Sequence, residues 1–373
     1  MSDVTLILLG AGSATRFNME PKKQWLYSGD KPLWLQVADH FSSLYDFKEV
    51  IIVSSAEEIR LMKFFGSYRY VAGGNSRQAS LSNALQYVST ISVLVSDIAR
   101  CCLDEMMIRR VLDMKEQAAC IVPALPVVDT LYIEEKPVDR SSAKRIQTPQ
   151  LSNTALLKEA LSAGTEYTDE SSAIAAANGN ILFVEGSENA HKLTTIDDLT
   201  KLGCLKTPSK KTLTGFGIDI HAFEVGKTMM LCGVKIDVPY GFKAHSDGDV
   251  AIHALIDALL GAAGFGDIGE FFPDTDKQYA GADSAKLLED IIRKISSYGL
   301  VVGNVDLTII AQVPKLLPYK DKMRQNLANI LGIRANFVNI KATTAEHLGF
   351  LGRKEGVAVE AVANLTYFDW TEK

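Results

Sequence analysis

The sequence predicts an α/β chain of two successive domains, on three observations. Short β-branched runs alternate with helical patterns as far as about residue 206. A small, polar, basic segment with a proline, Leu205–Lys211, then interrupts them, and a new strand-and-helix pattern restarts that does not repeat the first. Strand–helix alternation predicts a mostly parallel, doubly wound (Rossmann-like) sheet covered on both faces, with ligands at the carboxyl ends of its strands. The boundaries read from composition are a domain over 1–206, a linker over 207–211 and a second domain over 212–373.

In the first domain the strands are VTLILL, EVIIV, YRYVAG, ISVLVSD and ACIVPA, and the helices lie at Pro32–Leu44, near Ala56–Phe65, after Ser76 and near Asp104–Lys115. PVVDTLYIEEKPVDRSSAKRIQTPQ breaks the rhythm with extended, turn-rich sequence and reads as a β-arm projecting from the sheet. In the second domain TLTGFGIDIHAF, VGNVDLTIIAQ, FVNIKAT and VAVEAVANLTYF read as strands. DVAIHALIDALLGAAG, Ser284–Ser297 and Tyr319–Leu331 read as helices.

Composition removes several classes of function. Net charge is −6, with 22 basic and 25 acidic residues before Lys211 and 17 and 20 from Lys211 on, so neither half has the basic excess of a nucleic-acid binder. The sequence has no long apolar run for a membrane span, and the N-terminal MSDVTLILLGAGSATRF reads as a strand entering a loop rather than a signal peptide. Five cysteines (Cys101, Cys102, Cys120, Cys204, Cys232) lack CxxC spacing. They are expected to be free buried thiols of a cytoplasmic protein, not a disulfide framework or a thiolate metal site.

In LLGAGSATRF a glycine-rich turn follows the first strand directly, so that backbone N–H groups at Gly10 and Gly12 can approach a phosphate or a base. It fits neither GxGxxG nor the P-loop. Arg16, followed seven residues on by Lys23, puts two cations on one loop, which suits a triphosphate, since phosphoryl transfer is catalysed by positioning and charge neutralisation. Gly73, Gly74, Arg77 and Ser80 mark a strand-to-helix transition with room for a base, and Asp97 ends a strand where a carboxylate can hold Mg²⁺ or substrate hydroxyls.

G-A-G-x-x-x-R, K-K-Q-W, G-G-x-x-R-x-x-S, S-D-x-A-R, the V-D-T arm, V-D-R and H-K-L-T occur in the order of 2-C-methyl-D-erythritol 4-phosphate cytidylyltransferase, which the stretch from about residue 4 to 204 resembles. The resemblance implies that Gly10, Ala11, Gly12, Gly74, Asn75 and Ser80 hold the cytidine. Arg16, Lys23 and Lys192 would act catalytically on the triphosphate, Asp97 and Arg100 would hold the methylerythritol phosphate, and Thr130, Arg140 and Thr148 on the arm would bind its phosphate in the neighbouring subunit of a dimer. Mg²⁺ or Mn²⁺ would neutralise CTP while pyrophosphate leaves. Ala14, Ser96 and Ile98 depart from the family pattern, and Lys22 competes with Lys23, which the spacing from Arg16 favours.

In the second domain Asp219 and His221 are two apart in a strand and so share a face, and His253 and Asp257 share a helix face. One carboxylate and two imidazoles are the ligand set of a Zn²⁺ Lewis-acid site. AHSDGDVAIH adds His245, Ser246, Asp247 and Asp249 at the opening of an apolar helix, where Asp249 also suits an N-cap. With GDIGEFFPDTD, GADS, GNVDLTIIAQVPKLLP and KATTAEHLGFLGRKEG, residues 212–368 closely resemble 2-C-methyl-D-erythritol 2,4-cyclodiphosphate synthase.

By that resemblance Asp219, His221 and His253 bind Zn²⁺, with Asp257 orienting a histidine ligand, and Glu346 holds Mg²⁺ or Mn²⁺ as a catalytic metal ligand. His245 and Ser246 contact substrate, Asp267 and Gly269 hold hydroxyls, Thr343 and Thr344 support phosphates, and Arg353 belongs to the same binding set. Ala311, Pro314, Lys315, Leu316 and Leu317 form the cytosine pocket, and His347 stands where the family has a lysine. The second fold would be an α/β domain forming trimers with active sites between subunits.

The whole chain thus resembles a fused enzyme of the non-mevalonate isoprenoid pathway: a nucleotidyltransferase taking CTP and methylerythritol phosphate, and a phosphorus–oxygen lyase taking CDP-methylerythritol phosphate. Dimers of one domain and trimers of the other imply a hexamer; the step between needs a separate kinase, for which the chain has no motif, so the sequence leaves association with that kinase open and does not support direct channelling. Two competing readings are a first domain that is only a nucleotide-binding scaffold, and a transferase for another base or acceptor. The joint presence of Arg16, Lys23, Asp97, Thr130, Arg140 and Lys192 argues against the scaffold.

Overall fold

A computed structural model of the chain describes residues 3–12, 17, 19–244, 246–273, 275, 276, 279 and 281–372. It divides into two compact units, Met1–Thr207 and Pro208–Lys373. The hydrogen bonds from Lys206 N to Ser28 Oγ (2.9 Å) and from Gly29 N to Thr207 O (3.3 Å) tie the end of the first unit to its own body.

The first unit is built on an eight-stranded sheet. Its order is Lys144–Ile146, Cys120–Pro126, Gln150–Asn153, Ser92–Asp97, Val4–Leu9, Glu49–Ser54 and Arg69–Ala72, with Ile181–Glu185 also paired to Cys120–Pro126. Six strands run one way; Gln150–Asn153 and Lys144–Ile146, which follow the arm, run antiparallel to their neighbours. Val4–Leu9 and Ser92–Asp97 are buried at every position, as central strands covered on both faces must be. In the helix Leu33–Leu44 the buried residues Leu33, Trp34, Val37, Ala38 and Phe41 recur at the helical period. The helices Ala56–Met62, Arg77–Leu85 and Glu105–Asp113 start on Ser55, Ser76 and Asp104, whose side chains accept from the backbone N–H three residues on. The arm carries the exposed hairpin Leu131–Ile133 and Lys136–Val138, and its return strand rejoins the main sheet.

The expectation of five free thiols fails at one pair. Cys102 and Cys204, 102 residues apart, form a disulfide with a Cα–Cα distance of 5.4 Å; Cys101, Cys120 and Cys232 are free and buried. The cause lies in the tertiary path. The segment before Cys204 returns to the loop after Asp97, with Leu193 N donating to Ala99 O (2.8 Å) and Arg100 Nη1 to Ala190 O (2.6 Å), a proximity that cysteine spacing does not signal.

The second unit is a five-stranded sheet in the order Tyr240–Phe242, Leu213–Val225, Gly356–Tyr367, Leu300–Ile310 and Val338–Thr343, antiparallel except for the last pair. The apolar helix Val250–Ala263 lies on one face. Its approach requires glycine: a Cβ on Gly215 would sit 2.0 Å from Ala258 O, and one on Gly217 2.1 Å from Ala254 O. The alternate residues Phe216, Ile218 and Ile220 point to the opposite face and are 58%, 50% and 49% exposed. Among the described residues no helix is long and apolar enough to cross a membrane.

Candidate active sites

In the first unit a cavity of about 500 Å³ opens at the carboxyl ends of the central strands. Gly10, Ala11, Gly12, Gly74, Asn75 and Ser80 line one part of it, and Lys23, Arg77, Asp97 and Lys192 another. Ser80 Oγ accepts from Gly74 N (3.0 Å) and donates to Ser76 O (2.8 Å), so this hydroxyl shapes the glycine turn. Gly74 leaves no room for a side chain, since a Cβ there would lie 2.6 Å from Ala79 Cβ. Ile98 is buried against Gly10, and the Ser96 hydroxyl is buried without a partner among the described residues. Of the two adjacent lysines, Lys23 lines the cavity, with Nζ 3.4 Å from Leu193 O, while Lys22 Nζ lies 3.6 Å from Glu58.

The charges in this cavity are already paired. Lys192 Nζ donates to Asp97 Oδ2 at 2.6 Å and Arg77 Nε to Asp97 Oδ1 at 3.3 Å. Arg77 Nη1 donates to Glu170 Oε1 at 2.7 Å, and Glu170 is fully buried. Burial opposes ionisation of Asp97, but Arg77, Lys192 and Arg100 together hold its carboxyl below the usual range. Burial pushes Glu170 up against the pull of Arg77, while the Arg77 guanidinium, resisted by its own burial, is held charged by the two acids. Glu170 was missed by sequence reasoning, which has no local signal for a partner 93 residues from Arg77.

The other residues expected at this site lie elsewhere or outside the description. Arg100 donates to Ala190 O on the segment that carries Lys192, and does not line the cavity. Thr130 and Arg140 are exposed on the arm, where Arg140 Nη1 donates to Val128 O. Thr148 is buried and its hydroxyl has no partner among the described residues. None of the three lines the cavity of its own chain. Arg16 and Ala14 lie outside the described residues.

In the second unit a cavity of about 330 Å³ is lined by Asp219, His221, Ser246, His253, Asp257 and Gly269, with Lys243, Phe272 and Tyr279 among its walls. One ligand atom from each of Asp219, His221 and His253 falls within 4.8 Å of the others. Asp219 Oδ2 lies 3.2 Å from His253 Nδ1 and 3.3 Å from His221 Nδ1. Asp219 Oδ2 and His221 Nδ1 are buried with no hydrogen-bond partner among the described residues, although Asp219 Oδ1 accepts from Ile220 N (2.8 Å). Two unpartnered buried atoms, with His253 Nδ1 converging on the same point, fit a cation and not a packed polar core. Burial lowers the His221 pKa; Asp219, against the effect of burial, raises that of His253.

The far nitrogen of His253 is held by serines. Nε2 lies 3.0 Å from Ser284 Oγ and 3.3 Å from Ser246 Oγ. The Ser284 hydroxyl donates its one proton to the Asp247 carboxylate, so Ser284 Oγ can only accept from the ring. Nε2 therefore carries the hydrogen, and Nδ1 presents a lone pair on the Asp219 side. Asp257, expected to orient a histidine ligand, accepts at Oδ1 from Ile268 N (2.8 Å) at the start of the helix Ile268–Phe271. Asp249 is the N-cap of Val250–Ala263; it is fully buried, accepts from Ile252, Cys232 and Gly233 N–H groups, and burial pushes its carboxyl up to about 6.

The residues expected around cytosine and phosphate form a separate cluster beyond the paired ends of Leu300–Ile310 and Val338–Thr343. Ala311 N donates to Thr343 O (2.9 Å), followed by Pro314, Lys315, Leu316 and an exposed Leu317 on one side. On the other side Thr344 Oγ1 donates to Glu346 Oε1 (2.6 Å), and His347 N to Gln312 Oε1 (3.3 Å). Glu346 and His347 have φ of 47° and 62°, a left-handed conformation that is strained for both. Arg353 is exposed and pairs with Glu355 (2.7 Å). Asp267 accepts from Glu270 N (3.0 Å) beside Gly269. None of the residues from Ala311 to Arg353 lines the cavity of the Asp219–His253 centre in its own chain. His245 lies outside the described residues.

Residues 4–204 match the family 2-C-methyl-D-erythritol 4-phosphate cytidylyltransferase, and residues 212–366 match the YgbB family. The chain is 64% identical over the full length of both sequences to the bifunctional enzyme IspD/IspF of Sulfurovum sp.. It is 54% identical to that of Sulfurimonas denitrificans, covering 99% of this chain and 96% of the relative. The solved bifunctional IspDF of Campylobacter jejuni superimposes with a TM-score of 0.90, at 46% identity and 100% coverage of both chains. Relatives that share both halves under a bifunctional name leave the scaffold reading without support. With two separate cavities on one chain and a match running through both, the chain belongs to the bifunctional IspD/IspF family: a metal-dependent cytidylyltransferase and 2,4-cyclodiphosphate synthase of isoprenoid biosynthesis.

Proposed function

We propose that the chain divides its chemistry between the two cavities and the residues near them in the following way. In the first, cytidine sits against Gly10–Gly12, Gly74, Asn75 and Ser80, while Arg16, Lys23 and Lys192 neutralise the triphosphate of CTP. Asp97 and Arg100 hold methylerythritol phosphate, whose phosphate oxygen attacks the α-phosphorus as pyrophosphate leaves. Asp97 is the one carboxylate among the described residues lining this cavity and both its oxygens are engaged, so a Mg²⁺ or Mn²⁺ would be held by the triphosphate and would supply charge neutralisation there. Thr130, Arg140 and Thr148 serve a neighbouring subunit, a reading supported by their absence from the cavity of their own chain.

In the second cavity Asp219, His221 and His253 hold Zn²⁺, which supplies Lewis acidity at the β-phosphate of CDP-methylerythritol 2-phosphate. Ser246 and Gly269 seat the substrate, with His245 and Asp267. Ala311, Pro314, Lys315, Leu316 and Leu317 take the cytosine, and Thr343, Thr344, Glu346 and Arg353 the diphosphate, with Glu346 a ligand for Mg²⁺ or Mn²⁺. The 2-phosphate attacks the β-phosphorus and expels CMP. Because the two residue sets do not share a cavity within one chain, we place them together across subunits of a trimer, packed through the sheet face of Phe216, Ile218 and Ile220. Arm-mediated dimers of the first unit would then build a hexamer. A separate kinase supplies the 2-phosphate; no feature of this chain argues for its attachment. Such water-soluble phosphorylated substrates place the enzyme in the cytoplasm.

The observation that carries this reading is the chemical contrast of the cavities: two lysines over glycine walls in one, a carboxylate and two imidazoles with unpartnered atoms in the other. Its test is pyrophosphate release from CTP and methylerythritol phosphate with Mg²⁺. The Lys23→Ala variant should lose roughly a hundredfold or more in rate, as for removal of a transition-state cation. Wild-type protein that releases no pyrophosphate while still cyclising its second substrate overturns the assignment of the first cavity.

A further inference from the structure

Glu58 is 2% exposed, an uncommon place for a carboxylate, and it lies outside the cavity lining. Both its oxygens are in use. Oε1 accepts from Gln24 Nε2 and Trp25 Nε1, each at 2.8 Å; Oε2 accepts from Ser54 Oγ at 3.0 Å and Ser55 Oγ at 2.8 Å. Ser54 ends a central strand and Ser55 caps the next helix, so the carboxylate is itself held by two rigid elements.

The other two donors belong to the single 3-10 turn Lys23–Trp25. Lys22 Nζ also faces Glu58, at 3.6 Å. Lys23 instead lines the cavity, with its amine 3.4 Å from Leu193 O. Gln24 Nε2 reaches Gly10 O as well (3.3 Å), so the same turn is tied to the glycine loop. We infer that Glu58 is a positioning residue of the transferase: its buried carboxylate sets the register of the Lys22–Trp25 turn, so that Lys23 and not Lys22 presents its amine to the triphosphate. The inference rests on the role given to Lys23 above. Four converging donors call for the acceptor-only capacity of a carboxylate; an amide of the same size turns an NH₂ group toward two of them.

The test is a double-variant cycle on the full chain: pyrophosphate release with CTP, methylerythritol phosphate and Mg²⁺ for wild type, Glu58→Gln, Lys23→Ala and the pair. Glu58→Gln should lower kcat about 10- to 100-fold, the cost of a misplaced catalytic group, with the KM for CTP changed by less than about threefold. Because Glu58 acts through Lys23, the pair should be no slower than Lys23→Ala alone. Losses that multiply in the pair, or a Glu58→Gln enzyme with wild-type kcat, overturn the positioning role. A Lys23→Ala enzyme as fast as wild type instead removes the role of Lys23 itself, which separates the two failures. Near-ultraviolet circular dichroism reports on folding. If Glu58→Gln does not fold, Trp25→Phe carries the test: it deletes one donor but keeps a ring against Trp34 and Phe65, 6.1 and 5.7 Å away. Its expected result is a roughly three- to tenfold loss of kcat that vanishes in the Lys23→Ala background, and an undiminished kcat overturns the inference.

Discussion

The two cavities handle charge in opposite ways. In the first unit every described charged side chain of the cavity has a partner: Lys192 and Arg77 rest on Asp97, and Arg77 also on buried Glu170. In the second unit Asp219 Oδ2 and His221 Nδ1 are buried with no hydrogen-bond partner among the described residues. A cavity whose carboxylate is held by its own cations can stay ordered while an anionic substrate arrives with its metal ions. A cavity with converging unpartnered donors is completed by a cation, and its integrity should depend on that cation. One chain therefore carries one cavity ordered by its own ion pairs and one whose converging atoms suit a cation, and variants can break this contrast one side at a time.

The largest effect is expected from His253→Ala, which removes one of the three residues proposed to hold the metal. Cyclisation should fall by roughly a thousandfold, the several kcal/mol that Lewis-acid stabilisation supplies, while pyrophosphate release is unchanged. Equal loss of both activities would end the picture of two independent centres. Next, at roughly a hundredfold, comes Lys23→Ala, with the selectivity reversed: transfer falls and cyclisation persists. Ser284→Ala should weaken zinc binding about 10- to 100-fold in a chelator competition, because Nε2 of His253 loses the acceptor that fixes its tautomer. Wild-type zinc affinity in that variant would hand the orienting role back to another group.

The smallest effect concerns pH. Burial opposes ionisation of Asp198, yet hydrogen bonds from His191, Thr195 and Thr194 hold its carboxyl well below the usual range. With a depressed folded-state pKa, its contribution to stability is fully present above the ordinary value of 3.8 and is lost as pH falls below it. The Asp198→Asn variant should accordingly show a melting temperature less dependent on pH below about 4 than wild type. Parallel acid profiles for the two proteins would contradict the assignment.

Local sequence determined the elements and much of the residue content of both cavities. A buried strand needs continuous apolar residues, an amphipathic helix a 3.6-residue period, and both patterns are written within a dozen positions. The two-residue period put Asp219 and His221 on one face, and Gly10–Gly12 after the first strand marked the cavity mouth. Even Gly215 and Gly217 sit where the helix Val250–Ala263 presses closest, although glycines in a strand do not say which element approaches. What only the tertiary structure decided is the pairing of buried polar groups. Glu170 lies 93 residues from Arg77, Ser284 31 from His253, Glu58 34 from Gln24 and Cys204 102 from Cys102. No periodicity encodes such partners. A buried donor or acceptor must be satisfied by whatever packing brings beside it, and that is settled when the elements dock rather than when they form.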